Sequence, residues 1–497
     1  MMKDRPQASA WIAVGAAVAA YLNSFRGAFQ FDDFNVIVNN PAVHSLAAWA
    51  YDAPRGIRPL LKLTYALNWT SGWGPFGFHL FNVAVHAANT LLIFLLSRRF
   101  FKRRGNGEGR FAGTAPLLAA LLFALHPVQT ESVTYICGRS MSLMALFFLG
   151  SLLAYDHGAE SCRKVLLHVV SPLLFLFSVL TKETAVVLPF ALLLWEAGGI
   201  ERISWTSVLR RQAVHWVLLA CACAALLVHP VSRELIFYGY GARSASANLL
   251  CQVNGVSYLL SRLVFFARLN IDPDLPVRIA WSPALAVQAF FLAGLVLLGV
   301  FALRKRHWLG FGILWLFLQL APTNSLVPRL DVANERHLYL AAWGIFLVIG
   351  AAAERLLGSL RSDGRRAWAA ILAGTVVLGC FTIARNDVFR SEISLWEETV
   401  KASPDKPRAY NNLGYAYQLD GQTGRAIRAY GDALRRDPAN GRAQGNLAAA
   451  IEAAANPFPP LGRIPAGDAP GAEDFRQEIR SSPSVPESPQ HILQDFI

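Results

Sequence analysis

The sequence predicts an all-α protein: a polytopic membrane body of about eleven transmembrane helices, followed by a short soluble helical region. Three observations predict it. Long apolar runs recur from residue 11 to residue 384, basic residues crowd every second loop between them, and residues 410–438 carry helix–turn–helix repeat spacing. Composition agrees, since 54% of the 497 residues are hydrophobic and 16% charged. A soluble chain carries roughly a quarter charged residues. The mean hydropathy is positive, at +0.35.

In order, the apolar runs cover residues 11–25, 78–100, 115–125, 141–155, 165–180, 185–195, 213–228, 284–303, 309–321, 338–353 and 367–384. The longer ones approach the roughly 20 residues a bilayer requires, and the shorter ones need tilt, a break or a polar extension. Segment 185–195 is the weakest span. The first run has a basic start at Lys3 and Arg5 but no clear small-residue cleavage site, so it reads as an uncleaved first helix.

The loops set the orientation. Arg98, Arg99, Lys102, Arg103, Arg104 and Arg110 crowd one loop, and Arg163 and Lys164 another. Arg202, Arg210 and Arg211 follow, then Arg304, Lys305 and Arg306, then Arg355, Arg361, Arg365 and Arg366. Cytoplasmic loops are basic in this alternating way. The N-terminus is therefore expected inside, with residues 26–75, residues 231–283 and everything beyond Arg385 outside. The net charge of +13 is a topology signal, and its distribution argues against nucleic acid as a partner. Within the outer segments, residues 57–70 (Leu60, Leu61, Leu63, Leu67, Trp69) and 255–269 (Leu259, Leu260, Leu263, Val264, Phe266) suit amphipathic helices on the membrane surface. Cys137, Cys162, Cys221, Cys223, Cys251 and Cys380 show no metal-ligand spacing and read as buried small hydrophobes.

These signals divide the chain into a membrane domain at residues 8–384, a repeat region at 385–456 and a Pro-rich, expectedly disordered tail at 457–497. In the repeat region Tyr410, Leu413, Gly414, Tyr417, Ala426, Tyr430, Ala433 and Pro438 fall at the spacing of a ~34-residue tetratricopeptide unit. Incomplete units flank it at 393–404 and 442–454. A single repeat cannot bury its own face and must stack on neighbours. Its groove, with Tyr410, Asn411, Leu413, Gly414 and Tyr417, would bind an extended peptide or a partner protein; the alternative is a plain helical spacer.

The outer face gathers the candidate chemistry. Asp32 and Asp33 follow the first span within Phe29-Gln30-Phe31-Asp32-Asp33-Phe34. Adjacent carboxylates raise the pKa of one member and prepare a general base for a hydroxyl; the alternative is a solvated helix-terminal turn. The stretch from His126 to Arg139 adds His126 and Glu131, which would orient an acceptor or a reacting carboxylate, and Arg139, whose fork of donors suits a phosphate. Structural alternatives are a backbone hydrogen bond for His126 and a membrane-edge anchor for Arg139. Lys182-Glu183, Arg329 with Asp331, and Asn334-Glu335-Arg336-His337-Leu338-Tyr339 complete the set. No HExxH, P-loop or GxSxG motif is present.

Taken in order, these motifs resemble one family. Asp32-Asp33, Arg58-Pro59-Leu60, Phe78-His79-Leu80-Phe81-Asn82 with His86, His126-Pro127-Val128 to Gly138-Arg139, Lys182-Glu183 and Glu335-Arg336 to Tyr339 precede the repeat. The chain is similar, over residues 11–450, to the transmembrane and tetratricopeptide-repeat-containing O-mannosyltransferases, multi-span glycosyltransferases of the GT-C fold. The resemblance implies inverting transfer of a hexose from a polyprenyl or dolichyl monophosphate to a protein Ser or Thr hydroxyl. It implies Asp32 as base with Asp33 assisting, and Arg336, Lys182, Arg139 and Arg58 on the donor phosphate. His126, Glu131, Glu183, Glu335, His337 and Tyr339 would shape the acceptor side. A monophosphate donor demands no cofactor and is compatible with a divalent metal. The short repeat array departs from the long arrays of animal members and leaves the acceptor open. Brevity and an Ala- and Arg-rich style lean towards a bacterial inner membrane with a periplasmic active face, the equivalent in a eukaryote being the endoplasmic reticulum lumen. Two other readings stand beside it: transfer of a lipid-linked sugar to a glycan or lipid, and a non-enzymatic scaffold or transporter.

Overall fold

A computed structural model describes residues 6–104, 113–199, 204–324, 326–359 and 364–455. The tail at 457–497 lies outside the described residues, as do Arg110, Arg202 and Arg361 of the basic loops. Among the described residues the chain is helical, with turns and loops and no strand. It forms two compact units, Met1–Ala402 and Ser403–Ile497. Helix Glu392–Ala402 belongs to the first unit, beyond the residue-384 limit of the expected membrane domain.

Among the described residues, six helices are long and apolar enough to cross a membrane: Gln7–Arg26, Gly74–Arg103, Ile136–Glu160, Pro283–Arg304, Glu335–Ser359 and Ala369–Val388. A bent pair, Trp205–Arg211 with Ala213–Val228, makes a seventh if it is one span broken by 60°. The protein is thus a multi-pass membrane protein. Thr114–Leu125, Leu166–Thr181 and Trp308–Leu320 are apolar but shorter. The weak segment 185–195 is a 3₁₀ turn, Glu183–Val187, followed by the ten-residue helix Leu188–Ala197.

Thr114–Leu125 shows how a short apolar helix is accommodated. Its 12 residues rise only about 18 Å, and each of them is buried in protein. It packs against Gly74–Arg103, Leu338–Ser359 and Pro6–Ala20, so lipid never has to cover it. Trp308–Leu320 meets Leu338–Ser359 through small residues, where a Cβ on Gly312 would lie 2.4 Å from the Gly344 carbonyl oxygen. Membrane helices approach closely in this way because lipid supplies no hydrophobic drive between them. Trp315 and Trp343 fill the adjoining core with ring centroids 4.7 Å apart, and both indole N–H groups are bonded, to the Leu340 carbonyl and to Ser97 Oγ.

Polar networks stitch both ends of the bundle. Asn386 accepts from Thr134 Oγ1 (2.7 Å) and donates to the Ala20 carbonyl (2.8 Å), joining the first and last spans to the His126–Arg139 stretch. Elsewhere the basic-loop residues Arg99 and Arg103 pair with Asp156, Arg103 also with Glu196 (3.1 Å), and Arg211 with Glu196 (3.1 Å).

The two expected surface helices differ in their fit. Pro59–Thr70 matches residues 57–70 closely and buries Leu61, Tyr65 and Ala66 while Leu67 stays exposed. The second starts ten residues earlier than expected and spans Ala245–Arg262, because Ser244 caps it by accepting from Ala247 N–H (3.3 Å). Its buried face is Asn248, Cys251, Gln252, Gly255, Val256 and Leu259, a 3.6-residue period of mixed polarity that apolar counting misses.

Candidate active site

Asp32 and Asp33 sit side by side in sequence but in different surroundings. Asp33 is fully buried; its Oδ2 accepts the Gln30 N–H and its Oδ1 the Cys137 N–H, both at 2.9 Å. Burial pushes its carboxyl up to about 7, with the Asp32 charge adding and the Cys137 and Gln30 hydrogen bonds opposing. Asp32 is half-buried, and its backbone N–H donates to Tyr135 Oη at 3.0 Å. Its charge acts on the Arg336 guanidinium, which places the two in electrostatic range.

The turn that receives Asp33 is built tightly. A Cβ on Gly138 would lie 2.0 Å from the Glu131 carbonyl oxygen, so only glycine lets the chain fold back there. Glu131, almost fully buried, accepts the Arg336 N–H at 2.9 Å and lies 3.6 Å from Arg336 Nε. Burial raises its carboxyl, and the Arg336 charge and hydrogen bond work against that.

Opposite stands a second carboxylate with its cations. Arg58 adopts a left-handed backbone (φ 56°) immediately before Pro59, a conformation disfavoured for a non-glycine residue. Its fork reaches Glu183 through two bonds, Nε to Oε2 at 3.0 Å and Nη2 to Oε1 at 2.8 Å. Arg329 approaches the same carboxylate at 3.7 Å. Burial alone would raise Glu183, but the charges and hydrogen bond of Arg58, with Arg329 and Lys182, hold it below the usual carboxylate range. Lys182 donates to Ser140 Oγ at 3.1 Å. Burial, then the charges of Arg58, Arg336 and Arg329, push its ammonium well below the usual lysine range. Arg58, Lys182, Arg329 and Arg336 therefore share one environment with the carboxylates of Glu183, Glu131, Asp32 and Asp331. Lys182 lies in the field of three of these arginines, so an anion entering beside it would favour its charged form.

Three expected site residues are placed elsewhere. Arg139 is completely buried; its three nitrogens bond to Asn82 Oδ1 (2.6 Å), to Thr64 (3.2 Å to Oγ1) and to the Phe78 carbonyl (2.9 Å), and its guanidinium lies 4.4 Å from the Phe81 ring centroid. The expected phosphate fork is thus engaged with backbone, amide and rings. His126 Nδ1 accepts from Val128 N–H and Nε2 faces the Leu263 carbonyl, both at 3.2 Å. Burial lowers this imidazole to about 4, so it caps a turn as a neutral ring. Tyr339 is core: its hydroxyl meets His86 Nδ1 (2.8 Å) and Asn89 Nδ2 (3.0 Å).

Glu335 accepts from Tyr258 Oη (2.6 Å) and from Asn270 N–H (2.9 Å), which anchors the Ala245–Arg262 helix and the following loop. His337 stands next to Arg336, in the electrostatic field of Arg329, Lys182 and Arg336. Sequence reasoning gave no phosphate role to Arg329 and none to Tyr135, and it treated Arg385 only as a boundary. Yet Arg385 carries its charge among Glu335, Glu131 and Glu398. The available signal was a basic residue at the end of an apolar run. Among the described residues no group of three or more His, Cys, Asp or Glu side chains gathers in a way that could hold a metal ion.

The second unit has its own geometry. Gly414 packs on Tyr430, where a Cβ would lie 2.6 Å from the ring. Leu413 and Tyr417 are buried beside it. Tyr410 receives Arg436 both at its hydroxyl (2.8 Å) and over its ring (3.7 Å), and Asn411 Oδ1 accepts from Asn446 Nδ2 at 3.0 Å.

No protein-family model matches the chain. Among curated relatives, the human protein O-mannosyl-transferase TMTC4 is 26% identical over 483 residues, covering 83% of this chain and 64% of that protein. Human protein O-mannosyl-transferase TMTC1 is 25% identical over 89% of this chain and 56% of its own length. Human protein O-mannosyl-transferase TMTC3 is 22% identical over 86% of this chain and 51% of its own length. The chain thus spans between about half and two thirds of the length of the relatives it matches. Over more than four fifths of its own length the chain is similar to the TMTC protein O-mannosyl-transferases.

Proposed function

We propose that the protein is a GT-C-type membrane glycosyltransferase that moves a hexose from a polyprenyl or dolichyl monophosphate to a Ser or Thr hydroxyl of a protein. The observation that carries this reading is the gathering of Arg58, Arg329 and Lys182 about Glu183, in the field of Arg336, which itself lies within electrostatic range of Asp32. The relatives' names point to mannose as the sugar. Asp32 is the base and Asp33 the buried tie that positions it. The acceptor hydroxyl attacks the anomeric carbon from the side opposite the phosphate. Its proton passes to the Asp32 carboxylate, the bond from anomeric carbon to phosphate oxygen breaks, and the lipid phosphate leaves as a dianion, with inversion. The four cations stabilise the charge that develops on that oxygen, a role often worth several kcal/mol. The leaving group is a monophosphate, so the transfer needs no cofactor.

The finer organisation belongs to the same proposal. The shorter apolar helices complete about eleven crossings. The Pro407–Leu419 and Thr423–Arg436 helices act as a tetratricopeptide repeat that recruits the acceptor. The active face and C-terminus lie on the periplasmic side of a bacterial inner membrane.

The test is intact mass spectrometry of envelope proteins from cells with the wild-type chain, with Asp32→Asn and with a null allele. A hexose-sized increment is expected in the wild type alone, and donor turnover by the purified variant should fall at least about 100-fold. Three identical spectra, with the protein expressed, would refute a protein acceptor and favour a glycan or lipid acceptor.

A further inference from the structure

A small cavity lies beside the cation cluster. Its walls come from four separate stretches of chain: Met141 and Met144, Thr184, Gln319 with Thr323, and His337 with Leu340; the Thr323 hydroxyl is already bonded to the Leu320 carbonyl and Asn324 Oδ1. Three of the lining residues each carry a buried polar atom without a hydrogen-bond partner in the protein: Thr184 Oγ1, Gln319 Nε2 and His337 Nδ1. Thr184 and His337 are more than nine-tenths buried. An unmet buried donor or acceptor costs about 1–3 kcal/mol. Three such atoms around one void call for a polar group that can bond them.

We infer that this cavity receives one hydroxyl group of the donor hexose and reads its position on the ring. The inference rests on the glycosyltransferase reading and adds a specificity site to it. Size supports a single hydroxyl, since the space takes roughly one water-sized group and not a whole sugar ring. Chemistry supports it too. An amide N–H, a threonine hydroxyl and an imidazole nitrogen together satisfy the donor and both lone pairs of an alcohol, and none of them is a carboxylate or a permanent cation. Position is the third support. Thr184 follows Glu183 and Lys182, and His337 follows Arg336, so the cavity borders the groups proposed to hold the donor phosphate. The carrier's isoprenoid chain has no polar atom to offer such a site and its phosphate no donor, whereas every hexose has several hydroxyls.

The experiment uses the full-length chain in lipid vesicles with a polyprenyl-phosphate hexose and its set of monodeoxy analogues. A site built to bond a hydroxyl rejects the analogue lacking it by up to about 10⁴-fold. Wild type should therefore discriminate strongly against one deoxy donor. Thr184→Val and Gln319→Leu should each lower kcat/KM for the complete donor while sparing that deoxy donor, shrinking the discrimination at least tenfold. Thr184→Ser should restore it, which separates recognition from misfolding, and thermal unfolding of each variant checks the same point. Equal use of all deoxy donors, or variants that slow every donor alike, would overturn the inference and leave a water-filled packing void, with the transferase reading intact. Failure of the wild type to cleave any lipid-phosphate hexose would remove the transferase reading and this site together.

Discussion

Two neighbouring carboxylates, Asp32 and Asp33, illustrate how one residue's surroundings set its chemistry. Asp33 holds two backbone N–H groups and is sealed from solvent, while Asp32 keeps accessible surface within electrostatic range of Arg336. The consequence is a pH effect with a definite sign. The folded Asp33 carboxyl titrates near 7 against an ordinary value of 3.8. A raised folded pKa contributes stability that is complete below about pH 4 and is lost as pH rises towards 7. Asp33→Asn removes this dependence. The stability of the wild type relative to the variant should therefore fall as pH rises from 4 to 8, by on the order of a few kcal/mol, and its relative melting temperature should fall with it. Scanning fluorimetry at matched pH values measures it, and a flat or rising difference would contradict the burial argument. Arg139 makes the complementary point. A guanidinium motif next to a predicted site reads as phosphate-binding, but its fork serves Asn82, Thr64 and Phe78 instead. No local sequence feature distinguishes those two uses.

Among the elements, the helix pair Pro407–Leu419 and Thr423–Arg436 is the cleanest case of sequence specifying packing. Gly414 is required because the Tyr430 ring lies where its Cβ would be. Gly414→Ala should push the helices apart and cost about 1–3 kcal/mol, seen as faster proteolysis between residues 403 and 455. Under the proposed function this variant should lose transfer to protein acceptors while keeping donor cleavage. Equal loss of both would place the repeat within the catalytic machinery. The membrane elements were legible to different depths. Gly74–Arg103, Pro283–Arg304 and Glu335–Ser359 stand out as long apolar runs. Thr114–Leu125 also reads as apolar, but its complete enclosure by protein comes from neighbours far along the chain. The start of Ala245–Arg262 was missed because its buried face includes Asn248 and Gln252, which pattern counting treats as solvent-facing.

For the whole molecule, the basic loops make the strongest statement. Arg99 and Arg103 on one helix meet Asp156 and Glu196 on two others, so basic residues at the loop ends also pair within the bundle. The orientation is directly testable. In a chain whose only cysteine is the exposed Cys162, a membrane-impermeant maleimide should label inverted vesicles and leave intact spheroplasts unlabelled. In a cysteine-free chain carrying Asp420→Cys the pattern should reverse. Labelling of both from the same side would break the proposed topology.

The sequence by itself determined the class of the protein, its apolar spans, the charge bias of its loops and its kinship. Each of these is written in composition, period or the order of short motifs, all of which are local along the chain. Only the tertiary structure decided which groups act together. It brought Arg329 to the carboxylate that Arg58 grips, set Asp32 apart from Asp33, and withdrew His126, Arg139 and Tyr339 into the scaffold. The reason is physical. A charged or polar side chain takes its role from desolvation and from partners supplied by distant segments, and packing alone fixes both.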